Sequence, residues 1–490
     1  MCYIIKHRYD IIMYMFEETF VWYDLETFGL KPQYDRIAQF ACQRTDMNLN
    51  PVADPEVIYC RLSADYIPDP KACLVTGITP QEVKEKGIPE SEFIERINSI
   101  FSVPNTCVCG FNTIRFDDEM IRHALYRNFI DPYEREWRNG CTRWDIIDLV
   151  RACRDLRPEG IEWPVDANGK PVNKLTEITA ANHIDQTGAH DAMVDVNATI
   201  AVARLIREKQ PKLFNHYFEL RKKKNVMNLV NLVQQKAQPL VLCAPEYSRS
   251  EGCTTIIAPL TPSADRESRI LCFNLMKDPD ALLCATPETI RKTPGVFTVA
   301  INKSPFIAPI GTISNDMWHR LGLDKDLIME RFDKVCKAGP KIIATLRNAP
   351  EPDYGDEISD VDYQLYCGGF FSDRDKAMFS LIRNCEPAKR LDYMSTRFDD
   401  PRVPQMLWRH VCRNYPELLE GEALAEWKSF ASARLLQPLN NELNDIFFVE
   451  RKIEENMADT TLDPDKKRIL ADLGAYCRSL RRYVGLSDRK

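Results

Sequence analysis

The chain has 490 residues, of which 44% are hydrophobic and 28% charged, with a formal net charge of −7. This composition is ordinary for a globular protein and too balanced for a disordered or fibrous chain. At roughly 150 residues per domain the length predicts about three domains, and no stretch approaches the roughly 20 apolar residues of a membrane helix. The excess of acids means that any site for a polyanion must be a local basic groove.

The cysteine pattern indicates the compartment. The 17 cysteines include no C-x-x-C pair, and only seven histidines are available to complete a zinc site. Scattered, unpaired cysteines are typical of a reducing environment, so we expect a cytoplasmic protein without membrane association. Residues 1–18 lack a small-residue cleavage site. We interpret them as a non-exported, disordered lead, with Met13 or Met15 as alternative starts.

Residues 19–210 alternate strand and helix signals and therefore predict an α/β domain. Short apolar and β-branched runs predict three strands in an antiparallel meander and a fourth strand after a helix. The Thr79-Pro80-Gln81-Glu82 segment has the N-cap, N1 proline and N3 glutamate of a helix start. The predicted strands are 19–23, 37–42, 57–60 and 107–110, and the predicted later helices are 117–128, 145–153, 174–182 and 191–208.

The remainder of the chain divides into two further parts. Residues 211–360 contain short apolar strands at 239–243, 254–258 and 297–301, which predict a small β-rich domain with helical insertions. The acidic, proline-bearing segment 348–357 is typical of a linker. Residues 361–490 have long amphipathic stretches without strand signals, so we expect a helical domain.

Four acids and one histidine of the first domain could carry chemistry. Asp24 and Glu26 end the first strand at positions i and i+2, so both project from one face. Asp117 opens a predicted helix, while His190 and Asp195 flank the start of the last one. Taken singly, these residues also fit a solvated strand end, a plain N-cap and a structural histidine. Their combination within one α/β domain favours a catalytic site.

At these residues the domain resembles the DEDDh exonucleases of the ribonuclease H-like fold, and the whole chain resembles the bacterial exonuclease I family. The resemblance implies a ribonuclease H-like α/β exonuclease domain at 19–210, a β-rich SH3-like domain at 211–360 and an α-helical C-terminal domain at 361–490. The motifs that carry it are Asp24–Gly29, Leu74–Pro80, Arg115–Glu119, Arg157–Ile161 and Gly368–Asp373.

The resemblance implies a magnesium-dependent exodeoxyribonuclease that removes 5′-mononucleotides processively from the 3′ end of single-stranded DNA. Phosphodiester cleavage by two Mg²⁺ ions fits a site made of acids without thiolates, and Mn²⁺ is an expected substitute. Asp24 and Asp195 would hold the metals directly, Glu26 would bridge toward the ion that activates water, and Asp117 would act through water. His190 is the candidate base for the attacking water.

Substrate contacts and partners follow with less support from the motifs. The resemblance implies single-stranded DNA as substrate and binding to the acidic C-terminal tail of single-stranded DNA-binding protein, and we expect a monomer. Val75 is a candidate wedge against the last base, with core packing as its alternative. Cations for phosphate and rings for stacking suit a single strand. The candidate substrate-binding residues are Glu26, Val75, Arg122, Tyr133, Trp137, Arg151, Arg157 and Lys174.

Two other functions remain open at this point. The same acids would serve a 3′ to 5′ RNA-trimming or polymerase-proofreading nuclease, although two further built-in domains argue against proofreading. A strand-binding protein that has lost catalysis would keep the fold. All five catalytic positions hold the expected residue types, which disfavours that second alternative.

Overall fold

The structure is a computed structural model of the chain. Three predicted features lie wholly or partly outside the residues that it describes: residues 1–16 of the lead predicted at 1–18, the candidate base His190, and residues 351–357 of the linker. The described residues are 17–186, 191–230, 238–263, 268–350, 358–436 and 445–487.

A five-stranded sheet forms the centre of the first domain, in the order β3-β2-β1-β4-β5. The first three strands pair antiparallel and confirm the predicted meander, whereas β1 and β4 pair in parallel. The predicted helix at 145–153 is wrong at its start, because Asp145 ends a fifth strand and the helix begins at Ile147. The strands are β1 (Thr19–Thr27), β2 (Ile37–Thr45), β3 (Glu56–Tyr59), β4 (Thr106–Gly110) and β5 (Thr142–Asp145).

Seven helices among the described residues surround this sheet. The predicted cap of α2 is confirmed, since the Glu82 amide donates to Thr79 Oγ1 at 3.2 Å. The helices are α1 (Pro70–Thr76), α2 (Pro80–Lys86), α3 (Glu90–Phe101), α4 (Asp117–Arg127), α5 (Ile147–Leu156), α6 (Leu175–Ala181) and α7 (Ala192–Lys209).

The central strand β1 buries side chains on both faces of the sheet. Phe20 and Trp22 pack in a core that includes residues of α5 and α7, while Val21 and Tyr23 pack in a separate core with residues of α3 and α4. Because side chains alternate along a strand, Asp24 lies on the α7 face. Glu26, two residues further along β1, lies on the same face.

The second domain is built around another five-stranded sheet, in the order β10-β6-β7-β8-β9 and antiparallel throughout. The three strands predicted from apolar runs are confirmed. The strands are β6 (Leu240–Cys243), β7 (Thr254–Pro262), β8 (Arg269–Asn274), β9 (Val296–Ala300) and β10 (Phe306–Pro309). The helices are α8 (Pro211–Glu219), α9 (Lys223–Val230), α10 (Asp280–Leu283), α11 (Pro287–Ile290), α12 (Asn315–Arg320), α13 (Lys325–Lys337) and α14 (Gly339–Arg347).

One hydrophobic core runs from the first sheet into the second. The ring of Tyr217 on α8 lies 5.5 Å from that of Trp144 on β5 and 5.5 Å from that of Phe306 on β10, centroid to centroid. The Tyr217 hydroxyl also donates to the main-chain oxygens of Asp145 and Ser304, at 2.9 and 2.8 Å. The first two domains are therefore packed as one body.

The third part is helical over its described residues, as predicted. Its last two helices pack on α1 and α2 of the first domain through a shared apolar cluster that includes Cys73, Val83 and Leu470. None of the helices that the structure describes is long and apolar enough to cross a membrane. The helices are α15 (Asp373–Asn384), α16 (Val403–Asn414), α17 (Gly421–Leu436), α18 (Ile446–Met457) and α19 (Pro464–Val484).

A buried ionic network joins the third domain to the first. Asp362 lies 2.6 Å from Arg413, 2.8 Å from Arg434 and 2.9 Å from Arg409, and Arg413 also reaches Asp65 at 2.8 Å. Burial by itself would raise the pKa of Asp362. The charge of Arg413 and its hydrogen bonds, with the other two arginines, outweigh burial and hold this pKa well below its usual range.

We expect Asp362→Asn to destabilise the protein at pH 7 by about 3–5 kcal/mol, because it leaves buried arginines without their shared anion. The depressed pKa means that the stabilisation is present above about pH 4 and is lost as the pH falls. The difference between the two proteins should therefore shrink in acid. Urea unfolding at pH 7 and pH 3 measures it. The control is Glu386→Gln, whose surface pair with Lys389 should contribute little; an equal effect of both changes would contradict the prediction.

Candidate active site

Three carboxylates converge where β1 meets α7. One oxygen from each of Asp24, Glu26 and Asp195 lies within 4.8 Å of the others. Glu26 is buried, and the other two are half-buried. The i, i+2 spacing on β1 therefore directs both acids to the helix that supplies the third, as the sequence predicted for Asp24 and Glu26.

Burial and mutual repulsion disfavour the charged forms of these acids. Burial, followed by the charge of Asp195, raises the pKa of Asp24 well above its usual range. Burial, with the charges of Asp24, Asp195 and Asp191, raises the pKa of Glu26 to about 9. A divalent cation would relieve this repulsion, and three hard oxygen donors suit such an ion. The arrangement of the donors therefore fits a metal site.

Asp117 adjoins this trio without belonging to it. It is the first residue of α4 and only 6% exposed. Burial, then the charge of Asp24, raises its pKa well above the usual range, so the two acids are close enough to repel. A role for Asp117 through an intervening water stays a prediction.

The start of α7 is fixed by two glutamines that the sequence did not single out. Gln39 of β2 lies opposite Glu26 in the sheet, and its Oε1 accepts from the Ala192 amide at 3.3 Å. Gln186 Nε2 donates to Asp195 Oδ1 at 2.6 Å. A glutamine within the otherwise apolar run 37–42 was the signal for the first. His190 itself lies outside the described residues, so its catalytic role stays a prediction.

Four candidate substrate residues are accessible to a strand. Val75, at the end of α1, is 52% exposed, and Trp137 is 65% exposed. Lys174, which precedes α6, is exposed as well. Tyr133 is half-buried and lines a cavity of about 590 Å³ between the first and third domains. In this cavity the ring centroids of Tyr133 and Phe370 lie 6.1 Å apart. Their contact with a strand stays a prediction.

The three candidate arginines are engaged within the protein. Arg122 is buried and lies 2.7 Å from Glu119 and 2.6 Å from Glu136. Arg151 lies 2.5 Å from an aspartate one helical turn earlier, and Arg157 donates to a main-chain oxygen of the second domain at 3.2 Å. Some of these partners lie one helical turn away and others are brought close only by the fold, so the amino-acid composition alone did not reveal the pairs. Phosphate binding by these arginines stays a prediction.

Comparison with known protein families accounts for all three domains. The model described as Exonuclease matches residues 21–203, that of the Exonuclease I SH3-like domain matches 221–349, and that of the Exonuclease I C-terminal domain matches 359–480. Exodeoxyribonuclease I of Haemophilus influenzae is 40% identical over 435 residues, covering 85% of this chain and 90% of the relative. The chain belongs to the exodeoxyribonuclease I family.

Solved structures of this family agree with the fold. Escherichia coli exonuclease I in complex with a dA16 oligonucleotide is 35% identical, with a TM-score of 0.88 over 95% of this chain and 100% of that one. A zinc-bound E. coli complex with single-stranded DNA is 35% identical and has a TM-score of 0.86 over 95% and 99% of the two chains. A complex of exonuclease I with SSB-Ct is 34% identical, with a TM-score of 0.86 over the same shares. Membership confirms the predicted fold class and exonuclease activity.

The raised carboxylate pKa values predict that metal binding releases protons. Ligands must be deprotonated to bind, and Glu26, with a pKa of about 9, holds its proton at pH 7 in the metal-free protein. Because this pKa exceeds the unfolded value of about 4.3, the group costs the metal-free protein stability as the pH rises between these values. Mg²⁺ affinity, and the gain in Tm on adding Mg²⁺, should therefore increase from pH 6 to pH 9.

Calorimetric titration in two buffers of different ionisation enthalpy counts the protons released. Glu26→Gln removes one titrating group from the site and should release fewer protons than the unmodified chain. Binding without any proton release at pH 7 would contradict the raised pKa values.

Proposed function

We propose that this enzyme removes 5′-mononucleotides from the 3′ end of single-stranded DNA with two Mg²⁺ ions, for which Mn²⁺ can substitute. The observation that carries the proposal is the trio Asp24, Glu26 and Asp195, which meets at the C-terminal end of β1. Hard oxygen donors without a thiolate favour Mg²⁺ over softer metals. The family resemblance supplies the 3′ polarity and the nature of the product.

Each of the four acids and the histidine has its own role in the proposed reaction. Asp24 and Asp195 would hold the ions most directly, Glu26 would bridge toward the site of the attacking water, and Asp117 would act through a water molecule. Two bound ions supply charge for the attacking and leaving oxygens of an in-line displacement. His190 would accept the proton of the attacking water. Burial of the acids keeps bulk water from screening the charges that act on the phosphate.

The substrate proposal rests on how the three domains meet beside Asp117. Glu119, two residues further along α4, lies 3.5 Å from Lys303 of the second domain. It also accepts from the Tyr366 hydroxyl of the third domain. All three domains therefore meet at the first turn of α4, which begins with Asp117, and a strand passing between them would be held at several phosphates at once. Such contacts would favour many cuts per encounter and support a processive enzyme. Exposed Trp137 would stack on a base, and exposed Val75 would wedge against the last base.

We also propose that the enzyme binds the acidic C-terminal tail of single-stranded DNA-binding protein. The support is the related exonuclease I that was solved as a complex with SSB-Ct. The tail would bring the enzyme to strands that are already coated by its partner.

Every cysteine of the described residues is a free thiol, which is consistent with the proposed reducing cytoplasm.

Removal of one direct metal ligand should abolish hydrolysis while strand binding persists. We expect Asp195→Asn to slow single-turnover cleavage by at least about 10³-fold, because the ions contribute several kcal/mol to the transition state and each tenfold corresponds to about 1.36 kcal/mol. Affinity for labelled strand, measured in EDTA, should change little. Asp326→Asn, an exposed acid of the second domain, is the control. Substantial turnover of Asp195→Asn at saturating Mg²⁺ would refute the ligand assignment.

Polarity and sugar preference can be read from one set of labelled strands. A 3′-phosphorylated strand should be degraded slowly and a 5′-blocked one at the normal rate, because the site receives a terminal nucleotide. A ribonucleotide strand of the same sequence should be a poorer substrate than the deoxyribonucleotide strand. Resistance of the 5′-blocked strand alone would overturn the polarity, and preference for RNA would favour the RNA-trimming alternative.

A further inference from the structure

The segment that presents Asp117 is a loop without a conventional helix cap. It connects β4 to α4 across residues 111–116, and Asn112 adopts a left-handed φ of 66°. Phe116 occupies the N-cap position of α4 and makes no side-chain capping bond. The hydrogen bonds that hold this loop therefore help to set the position of Asp117.

The buried carboxylate of Asp145 supplies partners to this loop from β5. Its Oδ1 accepts from the Asn112 amide at 2.8 Å and from the Ile147 amide at 3.0 Å, while its Oδ2 accepts from the Ile114 amide at 3.1 Å. Asp145 is 4% exposed and lies opposite Gly110, the last residue of β4. Both oxygens therefore hold the loop from the side of β5.

The opposite side of the loop is held by close packing against β1. A Cβ added at Gly110 would lie 2.7 Å from the main-chain oxygen of Tyr23 and 2.4 Å from Thr113 Cγ2. Tyr23 directly precedes the proposed metal ligand Asp24. The loop is thus confined between the strand that carries Asp24 and the carboxylate of Asp145.

We propose that Asp145 is a positioning residue that holds Asp117 at the metal site through the amides of Asn112 and Ile114. The inference rests on the proposed function, in which Asp117 helps to hold the ions. Groups that orient metal ligands typically change metal affinity by about 10- to 100-fold when they are altered. Asp145 would act in this way without touching metal or substrate.

Asp145→Asn tests the inference in the full-length enzyme. It keeps one oxygen but places an NH₂ group against an amide donor, so the loop loses a hydrogen bond without losing volume. Calorimetric titration of the metal-free protein with Mn²⁺ should show weaker binding by about 10- to 100-fold. Single-turnover cleavage should be impaired at low Mn²⁺ and largely recovered at high Mn²⁺.

The matched control is Asp155→Asn. Asp155 is completely buried near the end of α5 and accepts from the Cys253 amide and from Thr254 Oγ1 of the second domain, both at 2.7 Å. This change should lower the Tm and leave Mn²⁺ affinity unaltered. A loss of affinity as large as that of Asp145→Asn would reduce Asp145 to a general structural role and overturn the inference.

Asp117→Asn separates this inference from the proposed function. If Asp117→Asn binds Mn²⁺ as the unmodified chain does, the proposed role of Asp117 fails. If it binds weakly while Asp145→Asn binds normally, only the positioning inference fails. Should Asp145→Asn not fold, Asp145→Glu displaces the loop while keeping the charge, and the same loss of affinity is required; normal binding by that variant overturns the inference.

Discussion

Electrostatic repulsion among Asp24, Glu26 and Asp195 is the constraint on which the rest of the structure depends. Three acids whose oxygens lie within 4.8 Å of one another disfavour each other's charged forms, and a bound cation would relieve this repulsion. The protein places two of them on the central strand of a sheet whose flanking residues are buried on both faces. Extensive apolar burial therefore stabilises a strand that carries an unfavourable charge cluster.

Asp117 and Asp118, adjacent acids at the start of α4, differ in the charged groups that surround them. Burial and nearby acids raise the pKa of Asp117. Its neighbour Asp118 is also buried, yet Arg135 and Arg143 lie within 3.0 Å of its carboxylate and hold its pKa below the usual range. Asp118 further accepts from the hydroxyl of Tyr23 at 2.8 Å. Asp118 thus anchors the first turn of the helix, while its neighbour remains available to the site.

The trailing domains are structurally continuous with the catalytic one. Arg143, which pairs with Asp118, also donates to the main-chain oxygen of Asn302 in the second domain. Glu119 contacts both other domains from the same helical turn. The domains that would hold the strand therefore contact the helix that starts with Asp117.

The sequence by itself predicted the three-part architecture and the pair Asp24 and Glu26, because strand alternation and helix caps are local patterns and an i, i+2 pair needs no distant partner. It could not place Asp145, whose short strand looked like the start of a helix. It could not distinguish Arg122, held between Glu119 and Glu136, from an arginine free to bind phosphate. Only the tertiary structure decided these roles, since hydrogen bonds and ion pairs depend on groups that the fold brings together from distant parts of the chain.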